Sequence, residues 1–246
     1  MKYKQLFIAI SFFYLLSSCT KSGSGPSSDG QIKLTAGLVA YFPFSGSFKD
    51  VSGNNFNLTD SGSMSFGTDT AGVSQSAANF NGVGQLLYIK DAGKLYRPKT
   101  TISFLFNTAD FGGRQAFFSR CNYENAHGFQ MNGGLESNGS AGVAFGNPSL
   151  GCDASLSESN TISLLSPQVS TGQWHSYIAV FSEGTLNLYI DGRLIASKTA
   201  NFQEPNNCSD ARFTIGSWWS QDANFFKGRI DEFRIYDRAL NKSEIA

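Results

Sequence analysis

The chain has 246 residues, with 19 basic and 19 acidic side chains, so its formal net charge is zero. Charged residues make up 15% of the sequence, against roughly 25% in ordinary soluble proteins, and this balance argues against the broad basic surface of a nucleic-acid-binding protein. Aromatic residues reach 14% and glycine occurs 26 times, which excludes a charge-driven disordered chain and favours β-structure with many turns.

The N-terminus has the pattern of a secretion signal. Lys2 and Lys4 form a basic start, and residues 6–16 form an apolar run that is too short to span a bilayer as a helix. The run ends in Leu16-Ser17-Ser18-Cys19, which resembles the bacterial lipobox, where the cysteine is lipidated. An ordinary cleaved signal with a cysteine nearby is the alternative. We expect a lipid-anchored protein of the bacterial cell envelope, with the outer membrane favoured.

The domain organisation follows from composition. We predict a lipoprotein signal peptide over residues 1–18 and lipidation of Cys19. Residues 19–31 contain no large apolar side chain after the cysteine and are predicted to be a flexible tether. Residues 32–246 contain no second linker and are predicted to form one domain.

Short runs of alternating apolar and polar residues indicate β-strands along the rest of the chain. In residues 101–107, for example, Ile102, Phe104 and Phe106 share one face. In chain order the predicted strands are 38–44, 86–90, 101–107, 115–121, 128–132, 142–145, 174–182, 185–190, 194–198, 213–216 and 229–236.

Turn signals separate these strands. Glu183-Gly184 and Asp191-Gly192 each join two neighbouring strands, and Asp-Gly suits a two-residue type I′ hairpin. Only residues 239–246 could form a helical turn. The many short strands with tight turns predict an all-β fold, an antiparallel β-sandwich.

Three cysteines follow the lipobox, namely Cys121, Cys152 and Cys208. Outside the cytoplasm, an odd number favours one disulfide and one thiol. All three pairings are open; the bond between Cys121 and Cys152 would close the shortest loop, and we favour it weakly. A zinc site is less expected, because the spacings are long and no C-x-x-C pair occurs.

Several stretches resemble a known family. Residues 37–55 (GLVAYFPFSGSFKDVSGNN) and residues 226–240 (FKGRIDEFRIYDRAL) look like the opening and closing segments of LamG-like jelly-roll domains, in the concanavalin A-like lectin/glucanase superfamily. Gln173-Trp174-His175 and residues 188–193 (LYIDGR) resemble the central hairpin, whereas residues 123–167 match poorly. The resemblance implies a jelly roll of two facing sheets, often with structural calcium, that usually binds carbohydrate or protein rather than catalysing a reaction.

Calcium is the sharpest chemical hypothesis. Asp231 alternates in phase with apolar residues of the closing strand, so we expect it to point inward, where a carboxylate needs a cation or good donors. The loop over residues 50–55 offers oxygen ligands. Because the resemblance implies that opening loop and closing strand are adjacent, Asp50, Asn55 and Asp231 could share one ion. The alternative is that Asp50 caps a turn and Asp231 pairs with Arg229 or Arg234.

A sugar-binding platform is indicated by two adjacent tryptophans in a polar segment near the closing strand. The proposed ligand-binding residues are Trp218, Trp219, Gln221, Asp222 and Asn224. The alternative is that one tryptophan plugs the edge of the sandwich and the other is half-exposed. A second candidate rim consists of Tyr123, Asn125 and His127.

No catalytic residue is assigned. Some superfamily glucanases place two catalytic carboxylates two or four residues apart on one strand, and no two acids of this chain have either spacing. Carboxylates from different strands could still meet. His175 lies in a predicted strand and is interpreted as structural.

The sequence thus predicts a cell-envelope lipoprotein with a non-catalytic, LamG-like glycan-binding domain. It would contact the membrane through its lipid anchor only and would not bind nucleic acid. A protein-binding adhesion or assembly module is the alternative, and a divergent glycoside hydrolase is a second one.

Overall fold

The fold is taken from a computed structural model, which describes residues 34–122, 129–152, 161–208, 211–218 and 223–246. The predicted signal peptide, the tether and Cys19 lie outside these ranges. So do the proposed ligand residues Trp219, Gln221 and Asp222, and the second rim of Tyr123, Asn125 and His127. No helix in the described ranges is long and apolar enough to cross a membrane.

The described part of the chain contains fifteen β-strands, and all of the strand pairs are antiparallel. In chain order they are β1 Leu38–Phe42, β2 Thr59–Asp60, β3 Ser65–Gly67, β4 Ala77–Asn81, β5 Leu87–Ile89, β6 Thr100–Thr108, β7 Gln115–Asn122, β8 Met131–Leu135, β9 Ser140–Gly146, β10 Thr161–Gln168, β11 His175–Ser182, β12 Thr185–Ile190, β13 Arg193–Thr199, β14 Ala211–Ile215 and β15 Lys227–Tyr236. Short 3₁₀ turns lie at Ala92–Leu95 and Pro148–Leu150, and the α-helix α1 spans Lys242–Ile245.

The strands form two sheets. Sheet A has the order β13-β12-β11-β6-β15-β4-β3, with β1 also paired to β15, and sheet B has the order β10-β9-β8-β7-β14-β5-β2. One large apolar cluster draws residues from both sheets and fills the space between them. The predicted antiparallel β-sandwich is therefore confirmed.

Aromatic rings dominate this core. The ring of Phe104 in β6 stacks on Tyr177 of β11 at 4.6 Å and on Phe233 of β15 at 5.1 Å between centroids. It also meets Phe117 of the opposite sheet edge-on at 5.2 Å. Such pairs add to the energy of burial alone, and they explain why phenylalanine is so frequent in a chain with few charges.

The two tight turns that join β11 to β12 and β12 to β13 lie where the turn signals predicted them. Glu183 and Gly184 have φ angles of 50° and 71°, and Asp191 and Gly192 have 51° and 71°. A type I′ turn requires positive φ at both central residues. The type I′ prediction for Asp191-Gly192 is consistent with these angles.

The closing strand contains a β-bulge that overturns one prediction. The pairing register of β15 with β6 shifts between Asp231 and Arg234, and Glu232 at the bulge has a φ of 54°. Ile230 pairs with Phe106 and lies in the core, so Asp231 points to the outer face of sheet A by alternation. The expectation that Asp231 shares the core face is wrong, because the extra residue reverses the phase before the apolar residues that follow.

The disulfide also differs from the favoured pairing. Cys152 is bonded to Cys208, with Cα atoms 5.6 Å apart, whereas Cys121 is buried within β7. Hydrogen bonds from Asn206 to the carbonyl oxygens of Gly146 and Gly151 hold the two bonded segments together. The preference for the shortest loop therefore failed, because the segment before Cys208 docks onto the end of β9.

The C-terminal segment covers part of the outer face of sheet A. Helix α1 begins with a capping box between Asn241 and Glu244, and the segment buries Leu240 and Ile245 against Ile178 and neighbouring residues. The predicted helical turn within residues 239–246 is confirmed, whereas the 3₁₀ turns at Ala92–Leu95 and Pro148–Leu150 were not predicted.

Candidate functional site

A groove of about 520 Å³ lies on the outer face of sheet B. Its floor is formed by three adjacent strands, β8, β9 and β10, and its ends are formed by the start of β7 and by Trp218, three residues after β14.

Small side chains make the floor low. Two cross-strand rows point outward: Gly134, Gly142 and Leu165 pair in one row, and Asn132, Ala144 and Ser163 pair in the next. A Cβ atom on Gly134 would lie 2.3 Å from the carbonyl oxygen of Gln115. Glycine is therefore required at this position for the strands to pack, and it also leaves space above the sheet.

Trp218 forms one wall of the groove. Its half-buried side chain packs against a small outer-face cluster that contains Cys121 and Phe129, with Ala144 beside them. Trp218 lies three residues after the end of β14, the strand that pairs with β7. A large aromatic ring thus lies beside a floor of small residues.

Polar groups surround the aromatic wall. Amide side chains of Asn132 and Asn138 and the hydroxyl groups of Thr161 and Ser163 line the groove. At one end, Arg114 Nε donates to Glu136 Oε2 at 2.8 Å. This ion pair neutralises the charges at the groove, and the remaining groups are donors and acceptors of the kind that bind hydroxyl groups.

Asn224, another proposed ligand residue, lies elsewhere. It lines a separate cleft of about 380 Å³ together with Asp110 and Lys227, which form an ion pair. Its carbonyl oxygen accepts a bond from the N–H of Ala116, and its φ angle is 55°. The structure therefore brings Trp218 to the groove but not Asn224, although Arg114 borders both.

The carboxylate of Asp50 organises the loop after β1. Its Oδ1 accepts from the backbone N–H groups of Tyr41 and Ser52 at 3.0 and 2.8 Å. Its Oδ2 accepts from the hydroxyl of Ser52 and the backbone N–H of Phe56, both at 2.9 Å. All four donors belong to the protein, which matches the alternative in which Asp50 caps a turn.

Asp231 lies on the outer face of sheet A and is 4% exposed. Its Oδ1 accepts from the backbone N–H of Glu232 at 2.8 Å. Burial raises its pKa to about 7, with smaller contributions in the same direction from the charges of Glu232 and Asp69. Neither suggested arginine partner pairs with it, since Arg234 pairs with Glu232 and Arg229 donates to the Thr68 carbonyl oxygen.

The predicted calcium ligands Asp50, Asn55 and Asp231 have different surroundings in the structure. Asp50 is committed to four protein donors, Asn55 is exposed with a φ of 62°, and Asp231 lies on a sheet face. Within the described ranges, no group of three His, Cys, Asp or Glu side chains is placed to hold a metal ion. Calcium binding stays a prediction, for which calorimetric titration of the chelator-treated protein is the test.

The groove is a feature that the sequence interpretation missed. Its floor comes from residues 131–146 and 161–165, within the region that departs from the family pattern. The sequence contained one local indication of this groove. In the segments 131–135 (MNGGL) and 141–145 (AGVAF), the outward positions are occupied by Asn132, Gly134, Gly142 and Ala144, and apolar residues flank them. This alternation identifies an outward strip with few large side chains, but not what stands beside it.

The family comparison agrees with the fold. The model of a family described as the Concanavalin A-like lectin/glucanases superfamily matches residues 80–246. The strand β1, which precedes the matched range, pairs with β15 and completes sheet A. No curated protein matches the chain.

Solved structures with this fold include two that contain sugars. Domain 4 of AbnA, a GH43 extracellular arabinanase from Geobacillus stearothermophilus solved with arabinotriose, is 22% identical with a TM-score of 0.63, covering 85% of this chain and 96% of that one. The botulinum neurotoxin serotype D ligand binding domain, solved with N-acetylneuraminic acid, is 12% identical with a TM-score of 0.64, covering 86% of this chain. This chain spans about half of that toxin domain, 50%. At these identities the likeness establishes the fold alone.

Proposed function

The chain belongs to the concanavalin A-like lectin/glucanases superfamily, and from that membership we propose that it binds a glycan in the groove on sheet B. The observation that carries the proposal is the position of Trp218 beside a floor of Gly134, Gly142 and Ala144. A sugar ring has an apolar face and a rim of hydroxyl groups. The groove offers a complementary aromatic face and a polar rim.

In a typical small-molecule site, apolar surface provides most of the affinity and a few polar groups fix the orientation of the ligand. Trp218 supplies a rigid, flat ring. Asn132, Asn138 and Ser163 can exchange hydrogen bonds with hydroxyl groups, because their side chains line the groove. The floor is low enough for a ring to lie along the strands.

The comparisons support this proposal without identifying the ligand. Two structural neighbours were solved with sugars, arabinotriose in one and N-acetylneuraminic acid in the other. We propose binding rather than cleavage of glycosidic bonds, because cleavage generally uses two carboxylates. Among the described lining residues Glu136 is the one carboxylate, and it is paired with Arg114.

The first test is isothermal titration calorimetry after a glycan array has supplied a ligand. Trp218→Ala should weaken binding at least tenfold by removal of the ring, and Ala144→Phe should abolish it by filling the floor. Trp174→Ala is the matched control: Trp174 is half-buried near Arg229 of sheet A, with 5.2 Å between its ring and the guanidinium carbon. Unchanged affinity in both groove variants would refute the site.

We also propose that the domain is anchored in the bacterial cell envelope through a lipid on Cys19. This part is supported by the sequence of residues 1–19 alone. Cys19→Ala should move the protein from the detergent phase to the aqueous phase in Triton X-114 partitioning. Equal partitioning of both forms would contradict lipidation at this cysteine.

A further inference from the structure

A second cleft, also of about 520 Å³, lies where the chain passes from β10 of sheet B to β11 of sheet A. It contains a serine, a histidine and a carboxylate in one hydrogen-bonded line. Ser170 Oγ lies 2.9 Å from His175 Nε2, and His175 Nδ1 lies 2.9 Å from Asp191 Oδ2. We propose that Ser170, His175 and Asp191 form a nucleophilic site that hydrolyses carboxylic esters.

The three residues come from different parts of the fold. Ser170 lies in the loop after β10, His175 is the first residue of β11, and Asp191 is in the type I′ turn between β12 and β13. Their assembly depends on tertiary structure, as is usual for a nucleophile, its base and the group that orients the base. The likeness to known triads is one of geometry and roles.

Regular structure holds the histidine and the carboxylate in place. His175 pairs with Phe106 in the sheet, and its ring packs on the ring of Phe106 at 5.5 Å between centroids. Asp191 Oδ1 accepts from the backbone N–H of Ser176 at 2.9 Å, which leaves Oδ2 directed at the imidazole. The base is mostly buried, with 12% of its side chain exposed.

The loop that carries the nucleophile is anchored on both sides. The N–H of Val169 donates to the carbonyl oxygen of Gly139 at 3.0 Å, and the N–H of Gly172 donates to that of Thr108 at 2.8 Å. Ser170 itself is exposed at the cleft. An attacking oxygen is therefore accessible to a substrate while its position relative to His175 stays fixed.

The surroundings of His175 suit proton transfer. In the neutral tautomer with a proton on Nδ1, that N–H donates to Asp191, and Nε2 accepts from the hydroxyl of Ser170. After Nε2 takes the serine proton, it can donate to the Ser170 carbonyl oxygen, 3.2 Å away. Both N–H groups of the protonated ring thus have acceptors.

Donors for the developing oxyanion are also available. The backbone N–H groups of Ser170 and Thr171 donate no hydrogen bond within the described part of the chain. Arg193 lines the same cleft and adds a positive charge. Donors of these kinds stabilise the tetrahedral intermediate of acyl transfer.

The reaction balances without a further co-reactant. Ser170 Oγ bonds to the acyl carbon as its proton passes to His175 Nε2, and the ester C–O bond then breaks while Nε2 protonates the leaving alcohol. Water next gives a proton to Nε2 and attacks the acyl carbon, and the acid departs as Ser170 Oγ regains its proton. The net reaction converts an ester and water into an acid and an alcohol.

The test uses a fluorophosphonate probe and p-nitrophenyl acetate on the purified full-length protein. We expect one probe adduct on Ser170 by mass spectrometry. Ser170→Ala should lose the adduct and nearly all acetate release. His175→Gln should lower kcat on the order of 10²-fold, as expected for loss of a general base. Asp191→Asn, which changes a positioning residue, should lower kcat while KM stays unchanged.

Ser197→Ala is the matched control, because Ser197 is an exposed serine on β13, outside the cleft. It should label and hydrolyse like the unchanged protein. An unlabelled, inactive parent protein with intact circular dichroism would overturn the proposal, as would a Ser170→Ala variant of unchanged activity. Glycan binding is tested at Trp218, so either proposal can fail alone.

Discussion

Asp50 illustrates how one carboxylate can determine a loop. Its two oxygens receive four hydrogen bonds, three of them from backbone N–H groups, and these bonds tie the loop to β1. A carboxylate is well suited to this arrangement, because both of its oxygens accept and neither donates. The same property made Asp50 a plausible metal ligand from the sequence.

We predict that Asp50→Asn destabilises the protein. An amide presents one acceptor oxygen and an NH₂ group, so two of the four donors lose their acceptor, at a cost of about 1–3 kcal/mol. Urea denaturation followed by tryptophan fluorescence measures the change. Asp91→Asn is the control, since the side chain of Asp91 caps no N–H group at the adjacent 3₁₀ turn; an equal effect in both variants would contradict this role.

Asp231 is a second residue whose surroundings determine its chemistry. Burial raises its pKa to about 7, above the usual 3.8. Between pH 3.8 and about 7, the Asp231 carboxyl group is therefore protonated in the folded protein and ionised in the unfolded chain. Its protonated form favours folding, so this contribution to stability is complete below pH 4 and is lost as the pH rises through about 7.

Asp231→Asn should remove this pH dependence. At pH 8 we expect the variant to be more stable than the parent protein by about 1–2 kcal/mol, because a buried carboxylate is replaced by a neutral group. At pH 4 the two proteins should be equally stable. The measurement is the free energy of unfolding at several pH values; parallel curves for the two proteins would show that Asp231 does not titrate in this way.

At the scale of the strands, a disulfide bond joins the segment after β9 to the segment before β14. Cys152 and Cys208 are 56 residues apart in sequence, and the segment between them includes β10 to β13. The shorter loop to Cys121 does not close, because Cys121 packs beside Phe129 on sheet B. Proximity in the folded state, rather than loop length, decides which cysteines are bonded.

We expect reduction of this disulfide to lower the free energy of unfolding by about 4 kcal/mol, from the entropy of a loop of this length. The urea midpoint of the parent protein should fall on addition of reductant, and that of Cys152→Ser should not respond. Cys121→Ala should retain the response of the parent protein. A non-reduced peptide map that joins Cys121 to either other cysteine would contradict the assignment.

For the whole molecule, the two outer faces of the sandwich differ. Part of the outer face of sheet A is covered by the C-terminal segment, which buries Leu240 and Ile245 beside Tyr236. The outer face of sheet B carries the groove with Trp218. This asymmetry directs the proposed glycan to sheet B, and the proposed ester site lies at the edge between the sheets.

Leu240→Ala should therefore destabilise the whole domain. Leu240 is 7% exposed, and removal of a buried leucine side chain typically costs about 2–5 kcal/mol. Val83→Ala is the control, because Val83 is 74% exposed. Thermal unfolding of both variants gives the comparison, and a melting temperature of Leu240→Ala equal to that of the control would show that the segment does not cover the sheet.

Much of the fold could be predicted because it depends on local alternation. The apolar faces of β6 and β12 and the Asp191-Gly192 turn follow from period-two patterns and turn chemistry. The direction of Asp231 could not be predicted, because a single extra residue at Glu232 reverses the alternation without changing the composition. For the candidate site, Trp218 was identified from its residue type, whereas the floor of Gly134 and Gly142 lies in a region without a recognisable pattern.

The sequence by itself determined the β-sandwich, the family and the residue types capable of binding sugar, because alternation, turn residues and motif order are properties of neighbouring positions. Only the tertiary structure decided which cysteines are bonded, which donors satisfy Asp50, and which side chains stand beside Trp218. It also placed Ser170, His175 and Asp191 in one line. These outcomes depend on distances between residues far apart in the chain, which are fixed only when the two sheets pack.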